Sequence, residues 1–300
     1  MKESKIKLKK HATVLSIISN SFLIVLKLIA GFLSGSMSII SEAIHSSTDL
    51  LASLIAYVAV IQSSKPADED HQFGHGKYEY IASLFESILI IFAGVFIAKE
   101  AFEKLSSQNI TTIDPNLGLI VMGISIVTNF IVSKYLLKIA KLTNSPAIMA
   151  DGSHLSADMF SSVAVIMGLL MVKLTGHPIF DILIALIVTV MIILTGIKLF
   201  KEAQENLLDK ALTKTQIDEI CNILKNYSNY VTMKNLKTRQ NGFKKNIEIT
   251  LLVDGNMTVC DAHKLCDEIE TAIDKILKDT EISIHLEPQN ITRVELVKNV

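Results

Sequence analysis

The sequence contains no tryptophan, few cysteines and no zinc-peptidase motif. Its three cysteines, Cys221, Cys260 and Cys266, all lie in the last third of the chain and do not form a disulfide framework, which indicates a reducing compartment. No His-Glu-x-x-His run is present. A metalloenzyme of that kind needs such a general base beside an open zinc position. We therefore predict that the protein is not an enzyme.

Charge is scarce in the first two thirds of the chain. The 300 residues are 50% hydrophobic with a net charge of −1, and the mean hydropathy is +0.42. Residues 12–200 are mostly apolar, whereas residues 201–300 are rich in Lys, Asp and Glu. This shift predicts an α-helical membrane domain over residues 1–208 and a water-soluble domain over residues 209–300. The lipid membrane is an expected partner, and nucleic acid is not.

Six stretches are long and apolar enough to span a bilayer, for which about 20 residues are needed. The first follows a basic segment and has no small-residue cleavage site, so we interpret it as a retained helix and not as a signal peptide. Prolines stand near three of the helix starts, where a missing N–H is tolerated. The predicted spans cover about residues 12–34, 37–62, 80–103, 115–138, 147–173 and 179–201.

Lysine placement predicts the orientation of these spans. Lysines concentrate in the N-terminal tail, in the second loop, at the end of the fourth span and after the sixth, and the loops on the opposite side hold few. By the positive-inside rule both termini are cytoplasmic. An inner or plasma membrane is the simplest location for such a multi-pass protein.

Spans two and five carry the same motif, an acid, a histidine three residues later and an aspartate four residues after that. Residues at i and i+4 share one helix face, so each span presents an imidazole and a carboxylate together. The two spans run in opposite directions, and each pair lies about 7–12 residues in, so both pairs are expected near the middle of the bilayer. The motifs are Glu42/His45/Asp49 and Asp151/His154/Asp158, with histidines 109 positions apart.

Two imidazoles and two carboxylates make a four-ligand set that suits Zn²⁺. The alternative is a hydrogen-bonded helix pair without metal, which would explain one motif better than two at matched depth. A lone aspartate at mid-membrane costs about 2.5–3.5 kcal/mol on insertion scales, which favours a shared cation. Glu42 and Asp151 either line the ion's path or have solvated or helix-pairing roles. We expect packing and hydration roles for Asn20, Lys27, Glu86, Asn129 and Asp181.

These motifs resemble those of the cation diffusion facilitator family over nearly the whole chain. The resemblance implies that His45, Asp49, His154 and Asp158 bind the transported ion, as in zinc-type members. It also implies a homodimer that exchanges Zn²⁺ for protons by alternating access. A membrane metal sensor, or an exporter of Fe²⁺, Cd²⁺, Co²⁺ or Mn²⁺, is the alternative.

The second loop offers three further ligand types, Asp68, His71 and His75. The spacing alone leaves a metal site and an ordinary polar loop equally open. The family carries a similar loop, and its members can bind metal through these three positions. The resemblance therefore favours metal.

Residues 213–288 follow the order helix, strand, strand, helix, strand, with an Asn-Gly turn between the first two strands. This αββαβ order resembles the ferredoxin-like, metallochaperone-like α+β domain of the family, which dimerises. His263, His285 and Glu287 stand where members bind a regulatory metal ion, here Zn²⁺. Lys234 and Thr250 replace histidines of some bacterial members, so one weaker site is expected instead of a binuclear cluster.

Overall fold

A computed structural model describes residues 2–34, 37–106, 115–175, 179–228 and 231–289. The chain divides into two compact units, Met1–Leu207 and Leu208–Val300. Each unit has its own buried apolar core.

The described part of the first unit consists of six long helices. At a rise of 1.5 Å per residue, the shortest of them, with 27 residues, is about 40 Å long, which exceeds the hydrocarbon thickness of a bilayer. Within the described residues, the segments Ser4–Ala30, Tyr78–Lys99 and Ile120–Thr143 are apolar and long enough to cross a membrane. The helices are α1 (Lys2–Ser34), α2 (Met37–Ser63), α3 (Tyr78–Ser106), α4 (Pro115–Thr143), α5 (Pro146–Thr175) and α6 (Ile179–Leu207).

Two glycines allow α3 and α6 to pack closely. A Cβ atom on Gly196 would lie 2.7 Å from Ile91 Cγ1 and 3.2 Å from the Ser87 carbonyl oxygen. A Cβ atom on Gly94 would lie 2.6 Å from Ile193 Cγ1. Small residues at such crossings let two helix backbones approach in a membrane, where lipid gives no hydrophobic drive to associate.

A buried ion pair joins four chain segments at the N-terminal end of α1. Lys9 Nζ lies 2.7 Å from Glu79 Oε1, and their side chains are only 3% and 0% exposed. The hydroxyl of Ser63 donates to the same carboxylate oxygen at 2.7 Å, and the hydroxyl of Ser145 donates to the other. This Glu79 cluster therefore links α1, the end of α2, the start of α3 and the residue before α5. Lys9 was expected outside the first span, but α1 already begins at Lys2.

The second unit has the predicted α+β order, which the structure confirms. Its β2 strand is central, antiparallel to β1 and parallel to β3, and Gly242 adopts a φ of +59° in the turn between β1 and β2. Apolar residues of both helices and of β2 form one core. The elements are α7 (Lys214–Lys225), β1 (Val231–Asn241), β2 (Lys244–Asp254), α8 (Val259–Leu277) and β3 (Thr280–Gln289).

We predict that Gly196→Ala destabilises the membrane unit by roughly 1–3 kcal/mol, because its new methyl group would overlap Ile91. Gly123→Ala is the matched control, since nothing lies within 4 Å of a Cβ at that position. There alanine should be neutral or mildly stabilising. Thermal unfolding in detergent, followed by circular dichroism, compares the two. Equal midpoints for both variants would contradict the close α3–α6 contact.

We predict that Glu79→Gln destabilises the first unit strongly, by about 3–5 kcal/mol, because it leaves the Lys9 ammonium buried without its carboxylate. Glu103→Gln on the same helix changes an exposed acid that pairs with Lys99 and should change the midpoint little. The same thermal unfolding measurement applies. A Glu79→Gln protein as stable as Glu103→Gln would show that the buried pair does not hold these helices.

Candidate metal centres

Helices α2 and α5 bring three ligand residues of the repeated motif together. His154 Nε2 lies 3.0 Å from Asp49 Oδ1 and 3.9 Å from Asp158 Oδ2. One ligand atom from each residue falls within 4.8 Å of the others, and His154 and Asp49 are buried. Zinc bonds of 2.0–2.1 Å in a tetrahedron separate neighbouring ligands by about 3.3 Å, so little movement is needed to close this group around an ion.

The fourth predicted ligand, His45, lies on α2 one turn before Asp49. Its side chain lies outside the described residues, as do those of Glu42 and Asp181. The four-ligand set therefore stays a prediction, with three of its members placed.

One helical turn away from this group, a polar contact also connects α2 and α5. Ser53, one turn after Asp49 on α2, donates to Asp151 Oδ1 at 3.0 Å, and Asp151 lies one turn before His154 on α5. Going one turn forward on α2 thus matches going one turn back on α5. The two helices are therefore antiparallel at the site, with their motif residues at the same height.

Helix α1 forms hydrogen bonds to α2 beside the ligand group. Asn20 donates from Nδ2 to the Asp49 carbonyl oxygen at 3.3 Å and to Ser53 Oγ at 2.8 Å, and Ser16 Oγ lies 2.9 Å from Ser53 Oγ. These bonds hold the backbone of α2 beside its ligand residues. Outer contacts of this kind orient metal ligands.

The chemistry of His154 follows from its two carboxylate neighbours. A carboxylate oxygen can only accept, so the short contact to Asp49 means that His154 Nε2 donates a proton. A metal ion would need the lone pair of that same nitrogen. This group can therefore hold a proton or a divalent cation at one place, but not both.

Glu86 on α3 is a buried acid that sequence reasoning did not single out. Its side chain is fully buried, and neither carboxylate oxygen has a hydrogen-bond partner among the described residues. Packing and hydration were the expected roles, and both stay predictions for this buried carboxylate. The only signal in the sequence was a charge within an apolar span.

The second loop forms another group of three ligand residues, which lies outside the helices. Asp68 Oδ2 lies 3.3 Å from His75 Nε2, and Asp68 Oδ1 lies 3.4 Å from His71 Nδ1. The three ligand atoms again fall within 4.8 Å of one another. His75 Nδ1 lies 3.1 Å from the Pro66 carbonyl oxygen, so Nδ1 donates there, and Nε2 is the nitrogen that faces Asp68. The loop thus orients one imidazole so that Nε2, after loss of its proton, is the nitrogen that would bind a metal ion.

The turn that contains Asp68 keeps its carboxyl group in the ionised form that a metal ligand needs. The backbone N–H of His71 donates to Asp68 Oδ1 at 2.7 Å and is the main cause that lowers the pKa of this carboxyl below its usual 3.8, with both histidines adding to the shift. A lowered pKa means that the turn gains stability above pH 3.8 and loses it as the pH falls through the lowered value. Asp68 is therefore ionised wherever the histidines can bind metal.

The predicted ligands of the second unit are less well gathered. His263 on α8 is exposed and has Asp267 at 3.9 Å, whereas His285 on β3 lies 3.9 Å from Glu287. Lys234 Nζ takes the other oxygen of Glu287 at 2.6 Å. Among the described residues of one chain, these three candidates do not form a group of convergent ligand atoms.

Comparison with known proteins assigns both units to one kind of protein. Residues 13–208 match the cation efflux transmembrane domain, and residues 212–289 match the cytoplasmic domain of cation efflux proteins. Together the two matches span nearly the whole described chain.

Individual relatives agree over most of their own length. An uncharacterised transporter of Synechocystis sp. is 35% identical over 88% of this chain and 85% of its own. The cation-efflux pump FieF of Yersinia enterocolitica is 31% identical over 96% of both chains, and that of Escherichia coli is 29% identical over 97% and 96%. A solved structure of CzrB in its zinc form is 30% identical over 29% of this chain and 99% of its own, with a TM-score of 0.27.

We predict that His75→Ala abolishes one metal-binding event per chain at neutral pH, because it removes the buried imidazole of the loop group. His11→Ala removes an exposed histidine outside that group and serves as the control. Calorimetric titration of the detergent-solubilised protein with Zn²⁺, in an Asp158→Ala background that disables the helix group, counts the ions bound. Unchanged stoichiometry in His75→Ala would show that the loop binds no metal.

Proposed function

Because the chain belongs to the cation diffusion facilitator family of cation efflux transporters, we propose that it exports Zn²⁺ from the cytoplasm in exchange for protons. The family carries divalent metal cations across a membrane, and the finer assignment concerns which ion moves and what drives it. The position of His154 Nε2 between Asp49 and Asp158 supports it most directly.

The choice of Zn²⁺ rests on the ligand types. His154 and the predicted His45 supply nitrogen, and Asp49 and Asp158 supply oxygen. Such mixed sets with imidazole suit zinc, whereas Mn²⁺ prefers oxygen ligands alone. Fe²⁺, Cd²⁺ and Co²⁺ accept similar ligands, so competition among these ions is the relevant comparison.

The proposed proton coupling depends on His154 Nε2, which can hold either a proton or a metal ion. In this structure the N–H at His154 Nε2 donates a hydrogen bond to Asp49, and a bound ion would take the place of that proton. Each zinc ion that binds must displace protons from the histidines. Each ion released to the other side leaves ligands that take protons up, which gives antiport if the two events face opposite sides.

The membrane arrangement completes the proposal. We place both termini in the cytoplasm and the protein in an inner or plasma membrane, as lysine placement predicts. Residues 1–208 form the transport domain, and residues 209–300 form the cytoplasmic domain of a homodimer. Helices α1, α2, α4 and α5 rock against α3 and α6, which the glycine contacts pack closely together.

Metal regulation is assigned to two further places. The Asp68/His71/His75 loop binds Zn²⁺ near the cytoplasmic ends of α2 and α3, and the preformed ligand group supports this. His263, His285 and Glu287 form at most a weaker site, because Lys234 already pairs with Glu287.

We predict that His154→Ala and Asp158→Ala each lower zinc transport by roughly 100-fold, because each removes a ligand of the transported ion. Purified protein reconstituted in vesicles, with zinc-sensitive and pH-sensitive dyes inside, measures both fluxes. His11→Ala should transport zinc as the parent does, since it lies away from the ligands.

The same assay separates the alternatives. A membrane sensor would bind zinc and move neither ion. Zinc movement without proton movement would contradict antiport while leaving efflux intact. Equal zinc transport by His154→Ala and the parent would show that the site is placed wrongly.

A further inference from the structure

Glu86 and Asp151 form a second pair of buried acids in the membrane unit. Both side chains are 0% exposed, and they come from different helices, α3 and α5. Ala82 and Ile90, one turn before and after Glu86, share apolar clusters with Ala147 and Ala157, which lie on either side of Asp151, so both acids lie where α3 packs with α5. Asp151 Oδ1 accepts from Ser53, whereas Asp151 Oδ2 and both Glu86 oxygens have no hydrogen-bond partner among the described residues.

Three buried acceptor oxygens without a donor are unusual in a folded protein. Most buried polar atoms are hydrogen bonded, and leaving them unpaired in an apolar setting is costly. Asn20, nearby on α1, shows the ordinary outcome, with its amide donating to Ser53 and to the Asp49 carbonyl. The acid pair therefore serves some purpose other than packing.

Glu79, seven residues before Glu86 on the same helix, provides the internal comparison. It is also 0% exposed, but it receives the Lys9 ammonium and the Ser63 hydroxyl. The described residues thus supply a fixed cation and donors to one buried acid of α3 and no hydrogen-bond partner to the other. A buried acid next to another acid and without a fixed cation is suited to a cation that comes and goes.

The location of the pair matches the path of an ion. Asp151 lies one helical turn from His154, on the side of the N-terminal end of α5. Ser53 connects the two levels, since its hydroxyl lies 3.0 Å from Asp151 Oδ1 and 3.1 Å from the Asp49 carbonyl oxygen and can donate to either. In the proposed orientation, that side is the cytoplasmic one, from which exported cations arrive.

We propose that Glu86 and Asp151 form a second cation site, with oxygen ligands alone, that a divalent metal ion occupies on its way between the cytoplasm and His154. This proposal rests on the proposed transport function and extends it. Carboxylate oxygens, the Ser53 hydroxyl and water supply the ligands. A set of oxygen ligands suits Mn²⁺ better than ions such as Zn²⁺, which prefer imidazole. We therefore expect it to bind zinc more weakly than the site at His154 does. An ion from the cytoplasm would reach this weaker site before the stronger site at His154, and weak binding would let the ion move on.

The test counts oxygen-bound ions directly. The full chain, solubilised in detergent and carrying His75→Ala to disable the loop group, is titrated with Mn²⁺, and electron paramagnetic resonance measures the free ion. Glu86→Gln should lower the number of bound Mn²⁺ ions by one per chain. Glu103→Gln is the matched control, an exposed acid on the same helix, and should leave the number unchanged. Glu86→Asp keeps a carboxylate and should retain part of the binding.

Co²⁺ absorption keeps this proposal separate from the proposed function. Tetrahedral Co²⁺ at His154 absorbs strongly in the visible range, and that band should persist in Glu86→Gln and disappear in His154→Ala. In vesicles, Glu86→Gln should raise the KM for zinc about tenfold, with a smaller change in kcat, because capture of the ion is weakened.

Two results would overturn the second site. One is equal Mn²⁺ binding by Glu86→Gln and the parent. The other is a Glu86→Gln protein that changes only the pH dependence of zinc uptake, which would mean that the pair carries protons and no metal. Loss of the Co²⁺ band in the parent itself would instead count against the site at His154.

Discussion

Buried carboxylates in an apolar helix bundle need a positive charge, and the first unit meets this need differently at each level. Glu79 receives the ammonium of Lys9. Asp49 and Asp158 share the imidazole of His154. Both Glu86 oxygens and Asp151 Oδ2 have no hydrogen-bond partner among the described residues. An ionised acid without a partner is strongly disfavoured at this depth. The cation at Glu79 is part of the protein, whereas in the proposed transport the cations at the other two levels are exchanged.

The antiparallel meeting of α2 and α5 makes the central level possible. Each helix carries an acid and a histidine on one face, and opposite directions bring both motifs to the same height. An inverted repeat thus converts one short motif into a group of convergent ligands, as in other transporters with sites at the midplane.

Sequence reasoning reached the parts of this structure that repeat or alternate. The two motifs predicted the grouping of Asp49, His154 and Asp158, and period-two patterns predicted the strands of the second unit. The Glu79 cluster was missed because Lys9 resembles an ordinary topology signal and its partner lies 70 positions away. Glu86 was missed as a candidate because a single polar residue in an apolar span has no periodicity. Whether such a residue finds a donor depends on tertiary packing alone.

The second unit shows how one substitution changes what a surface can bind. Lys234 Nζ lies 2.6 Å from Glu287, and its side chain is half exposed, so the ion pair itself contributes little stability. Its effect on metal is larger, because the ammonium places positive charge beside an oxygen that a divalent cation would use. The loop of Asp68, His71 and His75 has no such competitor within its ligand group and already holds its carboxylate ionised. The proposed metal binding outside the membrane helices is therefore favoured at the loop over Glu287, because the loop carboxylate is free of a competing ammonium within its ligand group and the Glu287 carboxylate is paired with Lys234.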